Sequence, residues 1–392
     1  PPPTRPAEPP RPRLPAPKRP HEIARSHADQ VDTSLLQPAQ DTNGVVFPVD
    51  HDSDVRAAFA ALDKHPANPD LSNDVVRTIN AAVDSYLSTN GKTLKDLNNV
   101  IVVGTDEIMP MARVPDLTQT ANEQSFGQEL RGAAETAGRS DALLGAALRG
   151  DILSDDPYAS STARSFLGTW LYVPDVAIGR LVETPAQISA AVTNFRTPTE
   201  LGDAPGVLRP HKTISAGYDF MKKLATDIAS SFATQFPSAG NTSLTTDDWN
   251  RADISSLVTA GGIAPDILAI NTHYSPQAFA PAQRYDSTHP DQPDVPAADF
   301  AQLANLQRRL MLTMGCQSGF NITNYLNNNG ATDWPEALAG DGVAAFVANT
   351  GFGIGVGGGV NAFSQELFQR YAENMAHYSL GGALQRAKQD YL

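Results

Sequence analysis

Short apolar segments alternate with amphipathic helical segments along most of the chain, and this alternation most restricts the folds open to it. The apolar runs of strand length are residues 100–103, 176–179, 213–216, 266–271, 310–314 and 343–348. Helical periodicity lies between them, for example over residues 73–87. Apolar strands separated by helices are typical of a parallel sheet covered on both faces. The predicted fold class is therefore α/β, with a mostly parallel sheet flanked by helices.

Proline and glycine clusters predict how the 392-residue chain is divided. Ten of the first twenty residues are proline, which indicates an extended linker or tail, more readily a passive spacer than a docking motif. Order is expected to begin between about Val45 and Val55. A second cluster at 197–210 indicates a domain junction. The predicted units are a linker at 1–44, an N-terminal α/β subdomain at 45–204 and a second α/β subdomain at 205–392.

The charge balance and the single cysteine exclude several classes of protein. The chain has 29 Lys and Arg against 43 Asp and Glu, a net charge of −14, so binding to nucleic acid or to an anionic membrane is not expected. No apolar run reaches the roughly 18–20 residues that a membrane span needs, so no membrane insertion is expected either. With Cys316 alone, neither an intramolecular disulfide nor a cysteine-based zinc site is available.

Acidic clusters raise the question of a calcium site. Pairs such as Asp155-Asp156 and Asp247-Asp248 fit solvated loop carboxylates better than calcium ligands, and no full EF-hand loop is present. We therefore expect that no cofactor is required and that calcium, where it binds, is a structural ion.

Two reactive side chains follow two of the predicted strands. His273 comes after the strand at 266–271, and Cys316 comes after the strand at 310–314. Ligands of open parallel sheets bind beyond the carboxyl ends of the strands, so these side chains approach each other if the two strands are neighbours. The alternatives are a buried structural cysteine and a structural or solvated loop histidine.

Cysteine and histidine in this arrangement suit nucleophilic catalysis. A thiol with an ordinary pKa of about 8.5 is mostly protonated at neutral pH. A nearby imidazole increases the thiolate fraction and produces a usable nucleophile. Gly315 and Gly319 flank Cys316 and leave its backbone open to a substrate carbonyl, where the Cys316 N–H is able to stabilise an oxyanion.

A glycine-rich segment offers a competing function. Residues 353–358 satisfy the G-x-G-x-x-G pattern of dinucleotide-binding loops. The pattern follows the last predicted strand, however, and no later strand supplies the carboxylate that would bind a ribose. A flexible loop that allows close approach of a peptide backbone is the alternative.

Taken together, the motifs resemble the caspase-like clan of cysteine peptidases, and most closely the gingipain-type family. The matching segments are residues 102–110, 156–158, 174–181, 271–273, 315–319, 342–351 and 387–392. Each is short, but their order and spacing are specific, and they span the chain from about residue 99 to its last residue.

The resemblance implies a caspase-like fold of two side-by-side α/β subdomains, with the catalytic dyad on the second. It implies a cysteine endopeptidase that hydrolyses protein or peptide substrates through a thioester acyl-enzyme. Cys316 would be the nucleophile and His273 the general base and acid. The N–H groups of Cys316 and Tyr274 would form the oxyanion hole. Asp219, Gly351 and Phe352 would line the substrate pocket.

The sequence departs from the family pattern at two places, which leaves alternatives open. Tyr274 stands where the family usually has glycine, and no carboxylate at 215–218 matches the glutamate that assists the histidine in gingipains. Asp219 would favour a basic P1 residue by pairing with it, but it equally suits a helix cap near Phe220. A catalytically silent binding or scaffold domain is the alternative function. We expect a secreted or cell-surface location, with further domains covalently flanking this chain.

Overall fold

The computed structural model describes residues 28–138, 141–197, 209–285, 292–322, 326 and 331–392. Helices are numbered in chain order as α1 Ala28–Asp41, α2 Ser53–Lys64, α3 Pro69–Thr89, α4 Glu123–Ala137, α5 Ala142–Arg149, α6 Pro185–Arg196, α7 Lys222–Gln235, α8 Arg251–Thr259, α9 Ala297–Ala304, α10 Trp334–Asp341, α11 Ser364–Asn374 and α12 Leu380–Tyr391. Strands are β1 Asn99–Val103, β2 Ala112–Pro115, β3 Asp151–Ser154, β4 Ala163–Phe166, β5 Thr169–Tyr172, β6 Ala177–Leu181, β7 Lys212–Gly217, β8 Gly240–Leu244, β9 Ile267–Asn271, β10 Tyr274–Ser275, β11 Ala278–Phe279, β12 Val295–Pro296, β13 Leu310–Thr313 and β14 Ala345–Ala348.

The second half of the chain is built on a five-stranded sheet in the order β14-β13-β9-β7-β8. All four pairings are parallel, so the predicted α/β class with a mostly parallel sheet is confirmed. The edge strand β8 was not predicted, because its sequence, Gly-Asn-Thr-Ser-Leu, is largely polar. The chain runs from β7 outward to β8 and then returns to β9 on the other side of β7. This reversal is the point of a parallel sheet where ligands usually bind.

Helices cover both faces of this sheet, as continuous apolar strands require. Leu268 and Met311 belong to one hydrophobic cluster with Phe300 and Trp334. The opposite cluster combines strand residues with α7, α11 and α12, and includes Leu310, Leu312, Leu224, Ile228, Phe368 and Tyr371. Neighbouring strand positions therefore pack on opposite faces, as the period of two of a β-strand dictates. The two layers hold the carboxyl ends of the strands rigidly.

The described part of the first half has its strands in pairs. β1 pairs with β6 in parallel, while β2–β3 and β4–β5 are antiparallel. The expectation that 100–103 is a buried strand was wrong for part of its length, since Ile101 is 61% exposed. Its other side packs with α3 through Val102, Val76 and Ile79.

The amino-terminal prediction needs a correction. Helix α1 lies inside the segment expected to be an extended linker up to residue 44, and it packs along α6. An ion pair of 2.8 Å joins Arg196 Nε to Asp41 Oδ2. Order therefore begins before the predicted start near Val45. Residues 1–27 and most of the predicted junction at 197–210 lie outside the described residues, so the linker and the boundary at 204 stay predictions.

The carboxyl-terminal helix connects the two halves. In α12, the Gln385 side chain donates to the carbonyl of Asp175 at 2.6 Å, and Lys388 Nζ pairs with Asp156 Oδ1 at 2.6 Å. Both acceptors belong to the first half, so the halves share an interface. Within the described ranges, no helix has the length and apolar character of a membrane span.

Candidate active site

The carboxyl ends of β7, β9 and β13 meet at one edge of the central sheet. β9 lies between the other two strands, and its partners in β13 lie 43 positions further along the chain. The same interval separates His273 from Cys316. The register therefore carries these two residues to equivalent places just beyond neighbouring strand ends. The condition set by the sequence analysis, that the two strands are neighbours, is met.

His273 is held in a partly aromatic environment. Its ring centroid lies 5.8 Å from that of Tyr218 and 5.7 Å from that of Phe220, and its side chain is 29% exposed. The His273 carbonyl accepts a hydrogen bond of 2.9 Å from Ala280, which fixes the backbone at this point. Burial lowers the pKa of His273 below its usual value, while the negative charge of Asp219 acts in the opposite direction. The imidazole is therefore predominantly neutral at neutral pH.

Asp219 lies beside the histidine. Its Oδ2 is 3.7 Å from His273 Nε2, and its own side chain is 63% exposed. The residue has φ of +52°, a left-handed conformation that aspartate tolerates better than most residues. Asp219 is the first residue of a short 3₁₀ helix, Asp219–Met221, and the cap positions of that helix and of α7 belong to Tyr218 and Met221, so the expectation that Asp219 is the cap was wrong. A carboxylate therefore lies beside the imidazole, one residue after the segment 215–218.

Cys316 occupies a turn that several hydrogen bonds stabilise. The Met314 N–H donates to Asn271 Oδ1 at 3.1 Å, and the Ser318 hydroxyl donates to the Gly315 carbonyl at 2.8 Å. Gln317, the residue after the cysteine, has φ of +47°. Such a conformation costs a non-glycine residue about 1–2 kcal/mol and persists because the surrounding contacts hold it.

The Cys316 thiol is itself partly buried. Its Sγ lies 3.8 Å from the carbonyl oxygen of Gly353. Burial raises the pKa of the thiol, and the negative charge of Glu123 raises it further. Together with the lowered pKa of His273, this favours a neutral thiol and a neutral imidazole in the resting protein.

Tyr274, which stands where the family usually has glycine, packs into the core. Its ring is buried against Phe279 and Trp334, with centroid distances of 5.5 Å and 5.3 Å. It also fills the space beside Gly315, where an added Cβ would lie 2.1 Å from the tyrosine ring. Because Ala280 bonds to His273, Tyr274 occupies a non-hydrogen-bonded position of the β10–β11 pair, and its N–H faces away from β11.

The predicted pocket residues Gly351 and Phe352 follow β14. They line a cavity of about 190 Å³ together with Asp116, Glu123 and Ile354. Glu123 is only 3% exposed, and its carboxylate accepts a hydrogen bond of 2.6 Å from the Phe352 N–H. A larger groove of about 550 Å³ on the first half also includes Asp116, and neither cavity is lined by Cys316 or His273.

The glycine-rich segment packs over the strand ends. An added Cβ at Gly355 would lie 2.8 Å from the Phe220 ring, and one at Gly353 would lie 1.8 Å from the Met314 carbonyl oxygen. Only α11 and α12 follow, so no strand completes a dinucleotide-binding unit between residue 353 and the last described residue. The alternative of a glycine-built loop beside the site fits this placement.

The structure thus distributes the predicted residues around one edge of the sheet. Asp219 contacts His273, and the segment at 351–353 contacts Cys316 and Gln317. Sequence reasoning missed Glu123, because an acidic residue in the first turn of a helix usually serves the helix dipole at the surface. In the described residues, no group of three or more His, Cys, Asp or Glu is arranged to hold a metal ion.

Comparisons with known proteins give one family. The model of peptidase family C25 matches residues 72–392. Among solved structures, the complex of the pro- and mature domains of RgpB from Porphyromonas gingivalis is similar, at a TM-score of 0.40 and 13% sequence identity. The similarity covers 79% of this chain and 63% of that chain, so this chain spans less than two thirds of it. No curated protein sequence matches.

Proposed function

The chain belongs to peptidase family C25, a family of cysteine peptidases, and we propose that it is an endopeptidase acting through a Cys316–His273 dyad. The observation that carries the proposal is the shared register of these residues beyond β9 and β13. The substrate would be a protein or peptide. Cleavage would proceed through a thioester acyl-enzyme.

The first half-reaction uses the neutral imidazole as a base. His273 removes the proton from the Cys316 thiol as the sulfur attacks the scissile carbonyl carbon. The N–H groups of Cys316 and Tyr274 are proposed to stabilise the negative oxygen of the tetrahedral intermediate. The intermediate collapses to the thioester, and His273 returns the proton to the amine that leaves.

The second half-reaction regenerates the enzyme. His273 removes a proton from a water molecule, which attacks the thioester carbon. The second tetrahedral intermediate releases the peptide acid, and the sulfur recovers a proton from the imidazolium. Because the pKa of the thiol is raised and that of the imidazole lowered, proton transfer accompanies attack instead of preceding it.

We further propose that Asp219 stabilises the imidazolium that forms during both steps. Its distance of 3.7 Å from His273 Nε2 supports this role. A preference for a basic P1 residue stays a prediction, and two carboxylates are candidates to support it. One is Asp219 itself, which is largely exposed, and the other is Asp116 beside the cavity at Phe352.

Active-site labelling tests the proposal. The purified protein is treated with a thiol-directed peptide acylating probe, and mass spectrometry locates the adduct. Labelling of Cys316 that requires both folding and His273 supports an active dyad. Equal labelling of the wild type, the His273→Ala variant and a denatured sample contradicts it and favours the silent scaffold alternative. The Cys316→Ala variant is the blank.

A peptide library then measures P1 preference. Faster hydrolysis after Arg and Lys supports the basic preference, while faster hydrolysis after apolar residues contradicts it. The assay is run with calcium and with a chelator, because a structural calcium ion stays a prediction. A secreted or surface location and flanking domains are also predictions, tested by locating the full-length protein in its source cells.

A further inference from the structure

Glu123 reaches from the first half of the chain into the site on the second. It is the first residue of α4, directly after the cap Asn122, and its side chain is almost fully buried. Oε1 accepts the Phe352 N–H at 2.6 Å, and Oε2 lies 3.4 Å from Gln317 Nε2. These partners are separated from Glu123 by 229 and 194 positions in the sequence. One buried carboxylate of the first half therefore bonds to two segments of the second half.

One hydrogen-bond partner of Glu123 is next to Cys316 in the sequence, and the other is next to the residue that contacts its sulfur. Gln317 follows Cys316, and its N–H donates to the Gly351 carbonyl at 2.8 Å. Phe352 precedes Gly353, whose carbonyl oxygen lies 3.8 Å from Cys316 Sγ. The turn that holds the cysteine and the segment that lies against its sulfur are thus tied to the same carboxylate.

The Glu123 carboxylate occupies the space that a side chain at residue 351 would take. An added Cβ at Gly351 would lie 2.5 Å from Glu123 Oε1. Glycine at residue 351 therefore lets the carboxylate come close to the backbone, and a larger residue there would displace the Glu123 carboxylate.

We propose that Glu123 is a positioning residue for the nucleophile, fixing the Cys316 turn against the segment at 351–353 and opposing thiolate formation when it is ionised. This inference rests on the proposed function of Cys316. It adds a control of the same site by the first half of the chain.

The charged groups around the two residues give the sign of the effect. The pKa of Glu123 is raised to about 7. Burial raises it most, the donors Phe352 and Gln317 act against this, and the charge of Asp116 adds to the rise. Glu123 acts on the thiol from the first half of the chain. His273 and Asp219 lie beyond the ends of β9 and β7, where they face each other. As pH rises through about 7, Glu123 loses its proton and its charge makes ionisation of Cys316 less favourable.

Replacing Glu123 by glutamine separates charge from shape. Glu123→Gln keeps an oxygen for the Phe352 N–H and removes the negative charge. The midpoint of Cys316 alkylation is expected to move to lower pH by about 0.5 or more. Glu123→Ala removes the tie itself, and kcat/KM for a peptide is expected to fall about 100-fold, since small misplacement of a reacting group has this effect. Glu123→Gln is expected to retain kcat/KM below pH 7 within about threefold.

The experiment measures alkylation of Cys316 by iodoacetamide between about pH 5 and pH 10, together with peptide hydrolysis. Glu129→Gln, an exposed residue of the same helix, is the matched control and should follow the wild type. Coincident alkylation profiles for Glu123→Gln and wild type would overturn the charge effect. Unchanged kcat/KM in Glu123→Ala would overturn positioning. If Glu123→Ala does not fold, the Gly351→Ala variant tests the same contact between Glu123 and the segment at 351–353. A reduced kcat/KM in folded Gly351→Ala supports positioning, and an unchanged kcat/KM overturns it.

Alkylation does not require catalysis, so the two proposals fail differently. A wild-type protein whose Cys316 is alkylated without any dependence on His273 contradicts the dyad. A dyad that labels normally but responds equally to Glu123→Gln and Glu129→Gln contradicts only the role of Glu123.

Discussion

At the scale of single residues, burial decides the resting state of the dyad. It lowers the pKa of His273 and raises that of Cys316, so a neutral pair is favoured over a thiolate–imidazolium pair. A nucleophile prepared in this way depends on a partner that stabilises the imidazolium during attack. Asp219, whose Oδ2 lies 3.7 Å from His273 Nε2, is placed to stabilise the imidazolium in this way.

The first prediction concerns this carboxylate. In Asp219→Asn, the pKa of His273 should fall further, because the charge that raises it is lost. The acid limb of the kcat/KM profile should move to lower pH, and kcat/KM should fall about 10- to 100-fold for all substrates. The profile is measured with matched Arg and Leu P1 peptides. A loss confined to the Arg peptide would instead assign Asp219 to the P1 pocket.

A second prediction concerns the contact between Gly315 and Tyr274. An alanine Cβ at residue 315 would lie 2.1 Å from the tyrosine ring, so the ring or the turn must move. Gly315→Ala should lower the free energy of unfolding by about 1–3 kcal/mol and reduce activity. Gly132→Ala is the control, since nothing lies within 4 Å of its added Cβ in α4. Equal stability of the two variants in urea unfolding would contradict the packing argument.

At the scale of elements, the glycine-rich loop depends on one buried side chain of α11. Gln365 is fully buried, and its Nε2 donates to the carbonyls of Phe220 at 2.7 Å and Val356 at 3.2 Å. Its Oε1 accepts from the Val356 N–H at 2.9 Å. One amide therefore connects the loop to the segment beside the histidine.

The third prediction follows from these bonds. Gln365→Leu leaves buried donors and acceptors unpaired, at a cost of about 1–3 kcal/mol each. The loop at 353–362 should then become sensitive to limited proteolysis, and kcat/KM should fall. Glu373→Ala, a substitution at an exposed position of the same helix, should leave the digestion pattern unchanged. An identical pattern for both variants would show that other contacts hold the loop.

At the scale of the whole molecule, buried carboxyl groups make stability depend on pH. Burial raises the pKa of both Glu123 and Asp333 to about 7. Between their ordinary values near 4 and about 7, the folded protein retains protons that the unfolded chain releases. Stability contributed by these groups is therefore greatest below about pH 4 and is lost as pH rises toward 7.

The fourth prediction uses this linkage. The relevant quantity is the Tm of the wild type minus the Tm of a Glu123→Gln/Asp333→Asn double variant. This difference should be more positive at pH 5 than at pH 8. Each group contributes on the order of 1–3 kcal/mol to this difference. Calorimetry at the two pH values measures it, with Glu129→Gln as the control. A difference independent of pH would show that the two carboxyl groups titrate normally in the folded state.

Much of the second half of the chain could be predicted from local patterns. The amphipathic pattern of residues 380–391 predicts helix α12 with its observed bounds. Thr184-Pro185 predicts the start of α6, where the Thr184 side chain accepts from the Gln187 N–H. Periodicity and capping are local properties, so a single sequence carries them. The polar strand β8 and helix α1 were missed, because packing outweighed weak local preference at both places.

The sequence by itself determined the family, the alternation of strands and helices, and the placement of His273 and Cys316 after two strands. It did so because those features depend on residue order and short-range periodicity. Only the tertiary structure decided that Tyr274 packs into the core, that Asp219 turns toward the histidine, and that Glu123 reaches the cysteine turn. Each of these contacts joins segments that are separated in sequence, and its free energy exists only once those segments have packed together.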